Sequence, residues 1–164
     1  MVSVKVDLYC DSGEPRVIFE GLMKQSIPAQ KRNMRFHPRA RPETLSSNPL
    51  MRCGTDYAFF VNDRPVIGIE RKSMRDAVLS IITYRGRPRN KIFRQLETIK
   101  VFPIRILLLE GRLPPDMLQF EPVLYGVQYW CLRNGVFVFH TVNMVGTYIA
   151  LKVIYRRLKA TDQT

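Results

Sequence analysis

The chain has 164 residues, of which 46% are hydrophobic and 24% are charged. These proportions are those of one folded domain, and they exclude a wholly disordered chain or two sizeable cores. No apolar run reaches the roughly 20 residues that a membrane helix needs, and the first residues lack the pattern of a secretory signal. Three cysteines without metal-site spacing, Cys10, Cys53 and Cys131, indicate reduced thiols. We therefore expect one intracellular domain over residues 1–164, cytoplasmic or nuclear, neither secreted nor membrane-bound.

The charge balance predicts the class of partner. The chain carries 26 Lys and Arg against 14 Asp and Glu, a formal net charge of +12. A strong positive excess on a compact domain favours a polyanion, most often a nucleic acid. A concentration of this charge follows residue 70, because residues 71–94 hold eight Lys and Arg and one acid. Charge indicates a partner but no reaction.

Hydrophobic periodicity predicts the elements in chain order. Residues 25–49 hold four prolines and several arginines, and predict a basic loop that either clamps a duplex arm or is disordered when alone. The predicted strands are residues 2–10, the hairpin strands 57–61 and 66–69, residues 104–109, which form a continuous apolar run, and residues 135–141. The predicted helices are residues 17–24, 74–82, 92–101, 120–132 and 145–158.

The alternation of strands and helices predicts the fold class. A strand buried on both faces, here residues 104–109, is typical of a sheet covered by helices on each side. We therefore expect a single α/β domain with a mixed central sheet flanked by helices. The aromatic residues Tyr125, Tyr129, Trp130 and Phe137 are expected in the core. The last helix carries apolar residues on more than one face, which indicates either ordinary burial or a dimer surface.

The chemistry-bearing residues lie on the predicted hairpin. Asp56 precedes its first strand, whereas Glu70 and Lys72 follow its second and, two apart, share one face. Carboxylate oxygens on neighbouring strands can converge on Mg²⁺ or Mn²⁺, and a lysine beside them can hold or deprotonate a water molecule. This pattern of two acids and a lysine is typical of metal-dependent nucleases. A solvated charge cluster at a strand end is the alternative.

These residues also carry a resemblance to a known family. Residues 70–76, Glu-Arg-Lys-Ser-Met-Arg-Asp, follow a hairpin that begins near Gly54 and Asp56. This stretch resembles the Gly-Asp, hairpin, Glu-Arg-Lys-x-x-x-Asp signature of the nuclease domain of the xeroderma pigmentosum group F (XPF) endonucleases. Thr55, between Gly54 and Asp56, departs from the signature and is interpreted as a shift of the loop that leaves the carboxylate in place. The resemblance extends over about residues 4–111.

The resemblance implies a restriction-endonuclease-like fold and site residues in named roles. Asp56, Glu70 and Asp11 would bind Mg²⁺ or Mn²⁺, Lys72 would position the attacking water, and Arg71 and Asp76 would organise the site or touch the phosphate. Glu14 and Gln95 match further family positions, although Gly13 stands where the family has an arginine before Glu14. Asp7 is an alternative to Asp11 as the carboxylate of the first strand, and the sequence leaves both open.

The basic residues complete the predicted site. The residues expected to contact phosphates are Arg75, Arg85, Arg87, Arg89, Lys91, Arg94, Lys31, Arg32 and Arg35. The resemblance implies a metal-dependent endonuclease that cuts flaps, forks or junctions in branched DNA, acting as a homodimer. A Holliday-junction resolvase of the same nuclease class, or an inactive DNA-binding subunit, are alternatives. Members of this family usually carry a helix-hairpin-helix domain after the nuclease domain, and the 164 residues leave no room for it, so we expect either an excised domain or a stand-alone nuclease. A targeting or helicase partner is left open.

Overall fold

A computed structural model describes residues 4–32, 55–82 and 90–160. The strands are β1 (Val6–Asp11), β2 (Ala29–Arg32), β3 (Tyr57–Val61), β4 (Arg64–Ser73), β5 (Ile104–Glu110) and β6 (Val136–Thr141). The α-helices are α1 (Arg16–Lys24), α2 (Met74–Leu79), α3 (Lys91–Thr98), α4 (Glu121–Arg133) and α5 (Met144–Ala160), with 3₁₀ turns at Ile99–Val101 and Pro115–Phe120. Among these described helices, none combines the length and the apolar character required to cross a membrane.

The strands form one mixed sheet in the order β2-β1-β3-β4-β5-β6. Strands β1, β3 and β4 are antiparallel neighbours, whereas β2 runs parallel to β1, and β5 and β6 run parallel to β4. Asn62 and Asp63, both with positive φ, make the tight turn that joins β3 to β4. The predicted α/β class with a mixed central sheet is therefore confirmed.

Each face of the sheet carries its own hydrophobic core. On one face α2, α3 and α4 pack over alternate strand residues such as Ala58, Leu107 and Leu109. On the other face α1 and α5 pack over the intervening residues, including Tyr57 and Leu108. The run in β5 is buried on both sides, as its unbroken apolar sequence predicts. Successive side chains of a central strand therefore enter opposite cores.

Two expectations from the sequence are wrong. The segment predicted as a loop over residues 25–49 contains strand β2. Only Ala29 of this strand is buried, so its sequence shows no apolar alternation. The strand forms because its backbone pairs with β1. Residues 33–54 lie outside the described part of the chain. The second error concerns the aromatic residues, because Tyr125, Tyr129 and Phe137 are about 60% exposed and only Trp130 packs against the core.

We expect Gly68→Ala to destabilise the protein, because β4 passes close to a buried ring at this position. A Cβ atom on Gly68 would lie 2.4 Å from Cδ2 of Phe102, whose side chain is fully buried. Overpacking of this kind costs about 1–3 kcal/mol in the free energy of unfolding, measurable by urea denaturation. Gly126→Ala in α4 is the matched control, since its Cβ would meet nothing within 4 Å, and it should be neutral or stabilising. Equal stability of the two variants would contradict this packing.

Candidate active site

Three carboxylates line up across the sheet, one on or beside each of β1, β3 and β4. Tyr57 pairs with Cys10 on one side and with Ile69 on the other. One step further along, the backbone N–H of Asp11 donates to the carbonyl of Asp56 (2.8 Å), and the N–H of Asp56 donates to the carbonyl of Ile69 (3.0 Å). Asp11, Asp56 and Glu70, here called the acid row, therefore lie side by side on three adjacent strands.

The acid row is largely withdrawn from water. Glu70 is 0% exposed and Asp11 is 2% exposed, while Asp56 is half-buried. The ammonium of Lys72 contacts Oε1 of Glu70, as expected for residues two apart on one strand. Oε2 of Glu70 is buried and has no hydrogen-bond partner among the described residues. Such an atom is costly to leave unsatisfied, and it faces a position where a cation would be favoured.

Backbone amides hold two of these carboxylates in place. The N–H of Arg71 donates to Oδ2 of Asp56 at 2.7 Å, and the N–H of Gly13 donates to Oδ2 of Asp11 at 3.1 Å. Arg71 lies in β4 and Gly13 lies in the turn that follows β1. These hydrogen bonds hold the carboxylates of Asp56 and Asp11 in fixed positions relative to the backbone. The site is therefore built from regular structure rather than from mobile side chains.

Mutual repulsion and burial alter the protonation of the site. Burial raises the pKa of Glu70 to about 8, and the charge of Asp56 acts in the same direction. Burial likewise raises the pKa of Asp56, against the opposing charge of Lys72. Burial, with the charge of Asp56, raises the pKa of Glu14 to about 7. In the folded protein these carboxyl groups therefore hold their protons at higher pH than free carboxyl groups do, because burial disfavours their charged forms.

The arginine of the Glu-Arg-Lys sequence points to the opposite face of the sheet. Its Nε lies 3.3 Å from Oε2 of Glu14 and 3.5 Å from Oε2 of Glu110, and all three side chains are nearly buried. The hydroxyl of Tyr57 also contacts Glu14. The sheet therefore separates the Arg71 side chain from the acid row, whereas Glu70 and Lys72 face the row.

Thr55, the extra residue relative to the family signature, has a structural explanation. Its hydroxyl accepts a hydrogen bond from the N–H of Ile69 at 3.1 Å and lies 2.7 Å from the carbonyl oxygen of the same residue. The hydroxyl of Thr55 thereby serves as the hydrogen-bond partner of the Ile69 backbone. It attaches the chain to β4 immediately before Asp56. That Asp56 keeps the place of the carboxylate in the signature despite Thr55 stays a prediction.

Two acids considered from the sequence lie elsewhere. Asp7 pairs in register with Phe60, about 13 Å along β1 from the acid row, and forms an ion pair with Lys5 (3.1 Å). Asp76 is exposed, and its N–H and carboxylate exchange hydrogen bonds with the hydroxyl of Ser73 (3.0 and 2.8 Å). Asp11, not Asp7, therefore stands beside Asp56, and Asp76 lies in the first turn of α2, where Ser73 is the N-cap residue.

The other predicted residues are only partly described. Arg32 pairs with Asp11 across β1 and β2, so the exposed Arg32 lies next to the acid row. Lys31 pairs with Cys10 instead, and its ammonium lies over the ring of Phe19 on the opposite face of the sheet. Arg75 is exposed in the first turn of α2 and lies 3.7 Å from Asp116. Lys91 and Arg94 are exposed on α3, and Oε1 of Gln95 is buried without a hydrogen-bond partner among described residues. Arg35, Arg85, Arg87 and Arg89 lie outside the described residues.

Sequence reasoning missed three residues behind the site. Tyr57 and Glu110 contact Glu14 and Arg71, and the buried Thr147 donates to Glu110. Part of this arrangement could be predicted from the sequence. Side chains alternate along β4, so Arg71 must lie on the face opposite Glu70 and Lys72. Tyr57, Glu110 and Thr147 come from β3, β5 and α5, and local spacing cannot identify them.

The geometry for metal binding is incomplete in this conformation. Across residues 4–32, 55–82 and 90–160, no three His, Cys, Asp or Glu side chains form a group arranged to hold a metal ion. The ammonium of Lys72 instead neutralises one oxygen of Glu70. The acid row supplies the oxygen donors that Mg²⁺ and Mn²⁺ prefer, and Oε2 of Glu70 is available to such an ion.

Comparison with known proteins supports the same fold class. No protein-family model matches the sequence, and no curated protein matches it either. Among solved structures, the chain is similar to an α/β nuclease, XPF from Aeropyrum pernix, with a TM-score of 0.68 and 19% identity over 94% of this chain and 66% of that one. A second structure, XPF from the same organism in complex with DNA, has a TM-score of 0.63 and 18% identity over 93% of this chain and 64% of that one.

These similarities establish the fold. The XPF-type nuclease fold that the sequence predicted is confirmed, with the six-stranded mixed sheet and its flanking helices. The chain spans about two thirds of the length of either XPF structure.

The raised pKa values predict an unusual pH dependence of stability. An unfolded Glu releases its proton near pH 4.3, whereas folded Glu70 keeps its proton up to about pH 8. Between these values the folded state binds more protons, so this residue lowers the free energy of unfolding as the pH rises. Without divalent cations, the free energy of unfolding of the wild type should therefore fall between pH 5 and pH 8. We expect this fall to be smaller in Glu70→Gln, by on the order of 2 kcal/mol.

The measurement is chemical denaturation at several pH values in the presence of a chelator. Glu97→Gln provides the control, since it makes the same change at an exposed position on α3. If Glu70→Gln and Glu97→Gln change the pH dependence equally, Glu70 does not carry the effect.

Proposed function

We propose that the protein is a Mg²⁺- or Mn²⁺-dependent DNA endonuclease that hydrolyses phosphodiester bonds in branched DNA such as flaps, forks and junctions. The observation that carries the proposal is the acid row, with Lys72 beside Glu70 on the same face of the sheet. Two or more carboxylates and a lysine at one sheet edge supply metal ligands and a group that handles the proton of water. An XPF-type fold supports this reading.

The ligand set fits a hard divalent cation. Asp11, Asp56 and Glu70 offer carboxylate oxygens from three strands, and one of these oxygens is buried without a partner. When bound, the ion would stabilise the negative charge that develops on a phosphate oxygen. Burial of three like charges without such an ion is unfavourable, which explains why the pKa values of Glu70 and Asp56 are raised.

Lys72 and the Arg71 peptide have separate roles beside the ligands. The ammonium of Lys72 is about 15% exposed and lies against Glu70, so it can orient the attacking water and accept its proton once deprotonated. The peptide N–H of Arg71 fixes Oδ2 of Asp56. The side chain of Arg71 takes no part on that face, because Glu14 and Glu110 hold it on the other one.

Exposed cations near the acid row support a DNA substrate. Arg32 ends β2 beside Asp11, and Arg75 follows β4 by two residues. Phosphates are bound by such side chains without base reading, which suits an enzyme that recognises the shape of DNA. The similar XPF structure in complex with DNA adds to this argument. An enzyme with this substrate would act inside the cell.

We expect three substitutions in the site to reduce cleavage by at least about 100-fold: Asp56→Asn, Glu70→Gln and Lys72→Met. The assay is cutting of flap, fork and four-way junction DNA with Mg²⁺, with DNA binding measured separately in a chelator. Asp63→Asn is the matched control, since Asp63 is exposed in the β3–β4 turn and pairs with Lys5 there. Cutting by all four variants at the wild-type rate would contradict the proposal.

The same assay separates the alternative functions. Symmetric paired nicks confined to the four-way junction would identify a Holliday-junction resolvase. Tight DNA binding by the wild type, without cutting in either Mg²⁺ or Mn²⁺, would identify an inactive DNA-binding subunit. The presence of Asp56, Glu70 and Lys72 on one face favours an active enzyme.

We further propose that the protein is a homodimer paired through the β6 side of the domain. Strand β6 is the edge of the sheet, and exposed apolar side chains lie on it and on the two helices that contact it. We call these residues the β6-edge surface: Tyr125, Tyr129, Leu132, Phe137, Phe139, Val142, Val145, Ile149 and Val153. Exposed apolar patches and open sheet edges mark association surfaces.

We expect Ile149→Glu to dissociate the dimer, because it would bury an unpaired charge between the copies. Ile149 is 47% exposed in the isolated chain, so the substitution should leave the fold intact. Val17→Glu on α1 is the control, since Val17 is also exposed (55%) but lies outside the β6-edge surface. Sedimentation should show dimers for the wild type and Val17→Glu and monomers for Ile149→Glu. A monomeric wild type, or a dimeric Ile149→Glu, would contradict this interface.

A further inference from the structure

Helix α5 carries a buried polar side chain that reaches into the sheet. Thr147 is 0% exposed, and its hydroxyl donates to Oε2 of Glu110 at 2.6 Å. The same hydroxyl lies 3.0 Å from the hydroxyl of Thr141. Because a hydroxyl has one proton, Thr141 must donate to Thr147 when Thr147 donates to Glu110. Thr147 therefore holds Oε2 of Glu110, and the hydroxyl of Thr141 in turn holds the hydroxyl of Thr147.

Glu110 in turn forms an ion pair with Arg71 on the neighbouring strand, β4. Its Oε2 lies 3.5 Å from Nε of Arg71, which also lies 3.3 Å from Oε2 of Glu14. The guanidinium is thus held between carboxylates from two different parts of the chain. In a nearly buried setting the loss of either carboxylate leaves a poorly compensated charge, so Arg71 has little freedom to move.

Arg71 in turn connects the two faces of the sheet. Its side chain lies on the face covered by α1 and α5, and its peptide N–H donates to Oδ2 of Asp56 at 2.7 Å. A shift of the residue-71 peptide would move this donor and with it the carboxylate of Asp56. A continuous series of contacts therefore runs from α5 to the acid row.

We propose that Thr147 and Glu110 are positioning residues that fix the Asp56 carboxylate through Arg71. The role in catalysis rests on the proposed function, whereas the connection between Thr147 and Asp56 rests on the contacts alone. Neither residue faces the acid row. They act on the geometry of a metal ligand from the opposite face of the sheet, as outer residues around metal sites commonly do.

The test compares Thr147→Val, Glu110→Gln and the control Thr98→Val in the full chain. Thr98 is a part-buried helical threonine whose hydroxyl donates to the carbonyl of Gln95 at 2.6 Å. Hydrogen exchange of the Arg71 amide is followed by NMR with a chelator present. We expect about tenfold faster exchange in Thr147→Val and Glu110→Gln than in Thr98→Val, because the hydrogen bond to Asp56 opens more often.

Cleavage kinetics supply the second readout. We expect kcat in Mg²⁺ to fall about tenfold in Thr147→Val, with KM for DNA unchanged, since DNA contacts are not touched. The proposal would be overturned if the Arg71 amide exchanged at the wild-type rate in both Thr147→Val and Glu110→Gln. It would also be overturned if Thr98→Val accelerated this exchange equally. If the wild type does not cleave DNA but the Arg71 amide still responds, the proposed function fails and the connection to Asp56 stands.

Discussion

The burial of like charges in the acid row is the constraint on which the rest of the structure depends. Glu70 and Asp11 are almost inaccessible to water, and Asp56 stands between them. Carboxylates in such a place are unfavourable unless cations or amide donors compensate them. The compensation includes the ammonium of Lys72 and the peptide donors of Arg71 and Gly13, and the raised pKa values of Glu70 and Asp56 show that it is incomplete. A site with this imbalance is suited to bind a divalent cation.

The side chains of the Glu-Arg-Lys sequence lie on opposite faces of the sheet, because side chains alternate along a strand. Glu70 and Lys72 point into the site, and Arg71 points into the opposite core, where carboxylates from two other elements hold it. The peptide of Arg71 then serves the site, although its side chain does not. This arrangement explains why three consecutive charged residues are accommodated in a central strand. Each has a charged partner on its own side of the sheet.

Much of this arrangement could be predicted from local pattern. The hairpin, the buried β5 and the shared face of Glu70 and Lys72 follow from period-two alternation, and so does the fold class. Pattern alone cannot choose between Asp7 and Asp11, because both fall on the same face of β1 and only the register with β3 separates them. Strand β2 has no apolar pattern, and Tyr129 and Phe137 look like core residues although they are exposed. These features depend on pairing and packing between distant parts of the chain.

The central claim is that the acid row binds the metal that cleavage requires. Anomalous scattering from a crystal grown with Mn²⁺, at a concentration that supports cutting, tests it most directly. We expect a manganese peak bonded to oxygens of Asp56 and Glu70, with Asp11 beside it, and Lys72 displaced from Oε1 of Glu70. The absence of a peak at the acid row, with the contact between Lys72 and Glu70 retained, would contradict it.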